Sequence, residues 1–137
     1  MSERVPANLR ARVRQRARQR CEYCLIHEQD TGFPHQPNHI IACKHGGETV
    51  EENLAWSCFL RNQLKGSDLA SVDVETGRIV RLFHPRKDRW SRHFRLEQAR
   101  IVPLTPVGRV TEYLLQFNHP ETLEMRETLL AEGRYPG

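Results

Sequence analysis

The stretch HIIAC-KHGGETVEE-NLAWSC-FLRNQLKG, residues 39 to 66, changes character three times in fewer than thirty residues. HIIAC (39–43) is a short apolar run and predicts a strand, and NLAWSC (53–58) predicts a second strand antiparallel to it. The turn-rich KHGGETVEE connects them. FLRNQLKG fits a short helix that ends near Gly66. So tight a succession of strand, loop, strand and helix reads as a compact hairpin with a helix packed against it.

The flanking segments fit around that unit. ANLRARVRQRARQR predicts a helix, because Leu9, Val13 and Ala17 recur every four residues among good helix formers. Its apolar stripe is narrow, which places it on the surface with its arginines outward. Residues 25–38, with Gly32, Pro34 and Pro37, read as an irregular connection. DVETGRIVRLF (73–83) predicts strand pieces around a turn at Glu75-Thr76-Gly77, ARIVPLT a short strand before Pro103, and residues 105–130 two helices separated by Pro120. With 137 residues and no low-complexity linker, one domain is expected over 1–137: a basic helix (1–20), a knuckle and hairpin core (21–66), and a C-terminal extension (67–137) packed on it.

Charge is distributed unevenly. Residues 1–20 carry seven arginines against the single acid Glu3, while the rest of the chain carries 14 basic and 16 acidic groups. A basic segment on a near-neutral body suggests a polyanionic partner, nucleic acid before membrane; a solvated arginine-rich helix is the alternative. No apolar run is long enough to span a bilayer, and the basic N-terminus has no apolar core behind it, so a cytoplasmic protein without a membrane partner is expected. In that compartment the four cysteines, Cys21, Cys24, Cys43 and Cys58, point to metal binding or free thiols rather than disulfides.

Cys21-Glu-Tyr-Cys24 has the two-residue gap with which a tight knuckle grips zinc. The matching pair is broken, since Cys58-Phe-Leu-Arg61 carries arginine where a second cysteine would stand, and arginine cannot ligate. A closed zinc site would need a fourth donor: His35, Cys43 or His27. Ordinary buried thiols are the other reading. His39 can take a proton from water near neutral pH if a neighbour fixes its tautomer. In a hairpin with a helix, Asn53 at the start of the second strand and Asn62 on the helix would converge with it on one face.

The ordered set His39, Asn53 and Asn62, with HGG between the strands, NQLKG after them and CEYC before them, resembles the HNH endonuclease family. LFHPRKDRW, HF, LTPVGRVT and FN extend the resemblance to small stand-alone bacterial HNH proteins over roughly residues 10–118. The resemblance implies an α+β fold with a ββα-metal (HNH or His-Me finger) core, an N-terminal basic helix and C-terminal helices. It implies cleavage of DNA phosphodiesters with a divalent ion such as Mg²⁺, and a structural Zn²⁺. His39 would be the general base. Asn53 would pin the loop and orient His39, and Asn62 would give the ion an oxygen ligand. Asn38 stands where the family usually has aspartate, glutamate or histidine, and keeps a carbonyl oxygen without the negative charge. Zinc would be held by Cys21, Cys24 and Cys58, with His35 at about the place where some relatives have a cysteine. Phosphates would meet Lys65 and the helix arginines Arg10, Arg12, Arg14 and Arg16. For HPRKDRW two readings stand: Arg86 and Arg89 on phosphates, or a packed loop anchored by Trp90 with Asp88 paired to an arginine. Tyr23 and Trp56 are expected in the core.

Overall fold

The computed structural model describes residues 4–137, so the first three residues of the predicted basic segment lie outside the described residues. Helix α1 spans Ala7–Arg16. Leu9 and Val13, one turn apart, face inward onto Leu54 and Trp56 and form a small core of their own. The helix stops short of residue 20 because Arg18 and Gln19 adopt left-handed backbone, φ 55° and 65°, which a right-handed helix cannot continue.

Strand β1 (Gln36–His39) pairs antiparallel with β2 (Leu54–Ser57), setting Asn38 opposite Ala55 and His39 opposite Leu54. The first strand therefore ends at His39, where the sequence predicted a start. Ile40 still donates its N–H to the Asn53 carbonyl, but both backbone groups of Ile41 are taken by the Asn53 side chain, at 2.9 Å each. With those groups diverted the ladder cannot extend through Cys43. Pro37 is tolerated because a two-stranded sheet has a free edge on each side. Helix α2 (Phe59–Lys65) follows β2 at once and closes at Gly66. The hairpin and α2 make the ββα unit.

Beyond it, β3 (Ala70–Val72) and β4 (Ile79–Arg81) form a second hairpin, turning through Gly77 at φ 74°. The one-turn helix α3 (Trp90–His93) leads into β5 (Phe94–Glu97), which pairs with β6 (Arg100–Pro103). The sequence reading missed β5, whose Phe94/Leu96 alternation is hidden in a run of charges. Helix α4 (Pro106–Leu114) starts at Thr105, whose hydroxyl accepts from the Gly108 N–H, and Pro106 suits the first turn. Helix α5 (Pro120–Ala131) completes the chain's regular structure.

The HPRKDRW segment is a packed loop. Trp90 donates its indole N–H to the Tyr23 carbonyl at 2.8 Å, Asp88 pairs with Arg81, and Arg86 pairs with Glu22. Tyr23 and Trp56 are both buried. The main apolar cluster takes Tyr23, Ile40 and Ala55 from the ββα half together with Phe83, Phe94 and Phe117 from the extension. Phe94 is central, with ring centroids 5.5 Å from Phe83 and 5.3 Å from Phe117, and such aromatic pairs add about 0.5–1.5 kcal/mol each beyond the area they bury. The architecture is α+β, short antiparallel strands and helices around a ββα-metal unit. Among the described residues no helix is long and apolar enough to cross a membrane.

Candidate functional site

The end of β1 brings Asn38 and His39 to the wall of an open cleft of about 1040 Å³, which Asn62 reaches from α2. Three cationic residues, Arg4, Arg10 and Lys44, line the same cleft. The loop from Ile41 to Asn53 is held shut by one side chain. Asn53 accepts from Ile41 N–H and donates to the carbonyls of Ile41 and Glu48 at 2.9 and 2.8 Å. Gly47 is required there: a Cβ on it would stand 1.7 Å from the Ile41 oxygen. Thr49, in the loop so pinned, shares a 2.9 Å hydrogen bond with His39 Nε2 and so orients the ring.

Asn38 and Asn62 bond to each other. Asn38 Nδ2 donates to Asn62 Oδ1 at 2.8 Å, and Asn38 Oδ1 accepts from the buried Tyr23 hydroxyl at 3.3 Å. Two amide oxygens thus belong to residues that line the cleft with His39, the donor type a hard dication such as Mg²⁺ takes. Both are neutral, and both already accept a hydrogen bond, one from the neighbouring amide and one from Tyr23. The residues fit such an ion in kind of atom and fall short in charge. Tyr23 and Thr49 are site residues that the sequence reading missed; only Tyr23 had a signal, its place between the knuckle cysteines.

Lys65 requires a correction. It is 2% exposed, and its ammonium donates to the carbonyls of His39 and Ile40 at 3.3 and 2.9 Å. Burial lowers its pKa to about 8. It props the backbone behind His39 and presents nothing to a phosphate. The helix arginines divide in the same way. Arg14 grips Glu28 through Nε and Nη2, and Glu28 also accepts from the Trp56 indole at 2.9 Å. Burial would raise the Glu28 carboxyl, but these bonds hold it below the usual range. Arg16 donates to the carbonyls of Glu51 and Leu54 and faces Glu22, and Arg12 pairs with Glu51. Arg10 alone of the four lines the cleft, its guanidinium lying over the Trp56 ring.

Cys21, Cys24 and Cys58 come together, fully buried, with their sulfurs all within 4.8 Å of one another. The knuckle turn aims the Cys24 N–H at the Cys21 sulfur, and the Cys24 and Cys58 sulfurs are 3.8 Å apart. Hydrogen bonds from Cys21 and Cys58, helped by the Arg61 charge, hold the Cys24 thiol well below its ordinary range, while burial pushes Cys21 well above. His35 is not part of this group. Its Nε2 is 3.0 Å from the Ile26 carbonyl and its ring lies against Trp56, so the proposed fourth ligand serves the loop instead. The other two candidates stand apart as well: His27 Nδ1 accepts from Gln29 N–H, and Cys43 lies in the cleft wall.

A hairpin closed by a helix, with histidine and asparagine at the strand end and asparagine on the helix, defines a ββα-metal protein. Residues 21–68 match the family model of HNH endonucleases. No curated protein and no solved structure matches the chain. An HNH domain with a three-cysteine cluster points to nuclease or nucleic-acid-binding function and to metal binding.

Proposed function

We propose that the protein is a divalent-metal-dependent endonuclease or nickase that hydrolyses DNA phosphodiester bonds. What carries this reading is the convergence of His39, Asn38 and Asn62 on one cleft lined by Arg4, Arg10 and Lys44. His39, its ring held by the Nε2–Thr49 hydrogen bond, would be the general base that takes the proton of the attacking water. Asn53 keeps the loop, and through it Thr49, in register with that ring. Arg10 and Lys44 draw the phosphate backbone into the cleft. Asn38 and Asn62 would hold the ion, whose contribution when bound is to stabilise charge on the scissile phosphate and the departing oxygen. The buried, closely spaced thiols suit a reducing cytoplasm.

A second reading, a nucleic-acid-binding module with little or no catalysis, is favoured by the bond between Asn38 and Asn62. Freeing Asn62 Oδ1 from it costs about 1 kcal/mol, roughly fivefold in ion affinity, and no carboxylate charge makes up the loss. A plasmid-nicking assay separates the two. Wild type should nick DNA with Mg²⁺ or Mn²⁺, His39→Ala should abolish it, and Asn38→Asp should lower the metal concentration required by about tenfold or more. Salt-sensitive DNA binding with no nicking by wild type under any metal, unchanged by His39→Ala, would leave the module.

A further inference from the structure

Arg61 is 2% exposed, an unusual burial for a guanidinium. Its Nη2 donates to the Gln116 carbonyl at 2.6 Å and to the Thr122 hydroxyl at 3.2 Å, at either end of the α4–α5 connection. Its Nε has no hydrogen-bond partner. Its charge faces the sulfurs of Cys24, Cys58 and Cys21. It stands at the sequence position from which a Cys58-x-x-Cys pair would deliver a fourth sulfur.

The thiols themselves have the geometry of ligands. A Zn–S bond of about 2.3 Å sets tetrahedral sulfurs about 3.8 Å apart, and Cys24 and Cys58 stand at 3.8 Å. Among the described residues no histidine, carboxylate or further cysteine joins the three. Three thiolates around a divalent ion leave one negative charge uncompensated in an apolar interior, where an unpaired charge is costly. One guanidinium cancels it.

We propose that the cluster is a three-cysteine site for a thiophilic divalent cation, zinc first, in which Arg61 replaces a fourth thiolate as counter-charge rather than as ligand. The same guanidinium then ties the metal to the C-terminal extension through Gln116 and Thr122. The site is independent of the nuclease reading, since its readouts are metal content and absorption spectra.

Zinc analysis of the purified chain and cobalt substitution test this directly. Wild type should take up one ion per chain, with sulfur-to-cobalt absorption that is lost in Cys24→Ser and unchanged in His35→Ala. Arg61→Cys should raise that absorption by about a third, the share of one added thiolate. Arg61→Met should weaken zinc in competition with a chelator by roughly 10–100-fold, the usual range for a partner just outside the ligands, and Arg61→Lys should weaken it less. No uptake of zinc or cobalt by wild type, wild-type affinity in Arg61→Met, unchanged absorption in Arg61→Cys, or loss of absorption in His35→Ala would each overturn the proposal. Arg61→Cys keeps the test decisive if Arg61→Met fails to fold.

Discussion

Lys65 shows how a residue read as a phosphate contact can instead be part of the scaffold. Its amine is enclosed under the strand end that carries His39 and satisfies two carbonyls that the broken ladder leaves over. Burial takes its pKa down from 10.5 to about 8, against the opposing pull of Asp68. Below pH 8 the amine is charged in both the folded and the unfolded chain, and the burial cost is present in full. As pH rises from about 8 toward 10.5 the folded chain sheds this proton first, the unfolded chain binds more protons, and stability rises, by ~3 kcal/mol at the limit. The neutral amine still has N–H donors for both carbonyls. Urea midpoints followed from neutral to alkaline pH should therefore climb in wild type relative to Lys65→Met, a difference that cancels contributions common to both proteins. A pH-independent difference would mean that the amine is solvated. No spacing rule announces such a lysine, because what buries it is the return of β1 some 25 residues earlier in the chain.

At the scale of elements, α1 was legible as a helix from its Leu9/Val13 period, yet its chemistry was not, because each arginine's partner lies elsewhere in the sequence. Arg14 and Arg16 join α1 to Glu28, Glu22 and the β2 entry, and Arg10 is left over the cleft. The helix is thus more a clasp than a free polycation. If DNA enters the cleft, Arg10→Ala should lower affinity and reduce the slope of log affinity against log salt by about one unit. Arg14→Ala should leave both nearly unchanged and lower stability only slightly, since the Arg14–Glu28 pair is partly exposed. Fluorescence anisotropy over a salt titration reads the first, thermal melts the second; equal losses of DNA affinity would restore α1 as a general phosphate rail. The hairpin and α2 were legible for a related reason. Their turns, apolar runs and the His39–Asn53–Asn62 order are local, but β1 was misplaced at both ends, read at 39–43 and found at Gln36–His39, because the Asn53 side chain captures Ile41 across the loop and stops the ladder there.

In the whole molecule the ββα half and the extension share one interior. Tyr135 donates to the Cys24 carbonyl, Trp90 to the Tyr23 carbonyl, and Arg61 reaches Gln116. Phe117, fully buried, packs on Phe94 and beneath Arg61. This arrangement explains how a cluster of three cysteines without a fourth is compatible with a formed cleft: the extension supplies apolar area and a carbonyl acceptor for the Arg61 guanidinium. It also predicts that residues 21–66 and 67–137 unfold together. Phe117→Ala lies outside the ββα unit and should cost about 3–5 kcal/mol, as large-to-small changes in a packed core do. Hydrogen exchange should then quicken by the same factor at the β1–β2 amides as at the β5–β6 amides, because both open only through the same global event. If the β1–β2 amides keep their wild-type protection while β5–β6 loses it, the ββα unit is a separately stable domain, and the extension is an attachment rather than a support for the cleft.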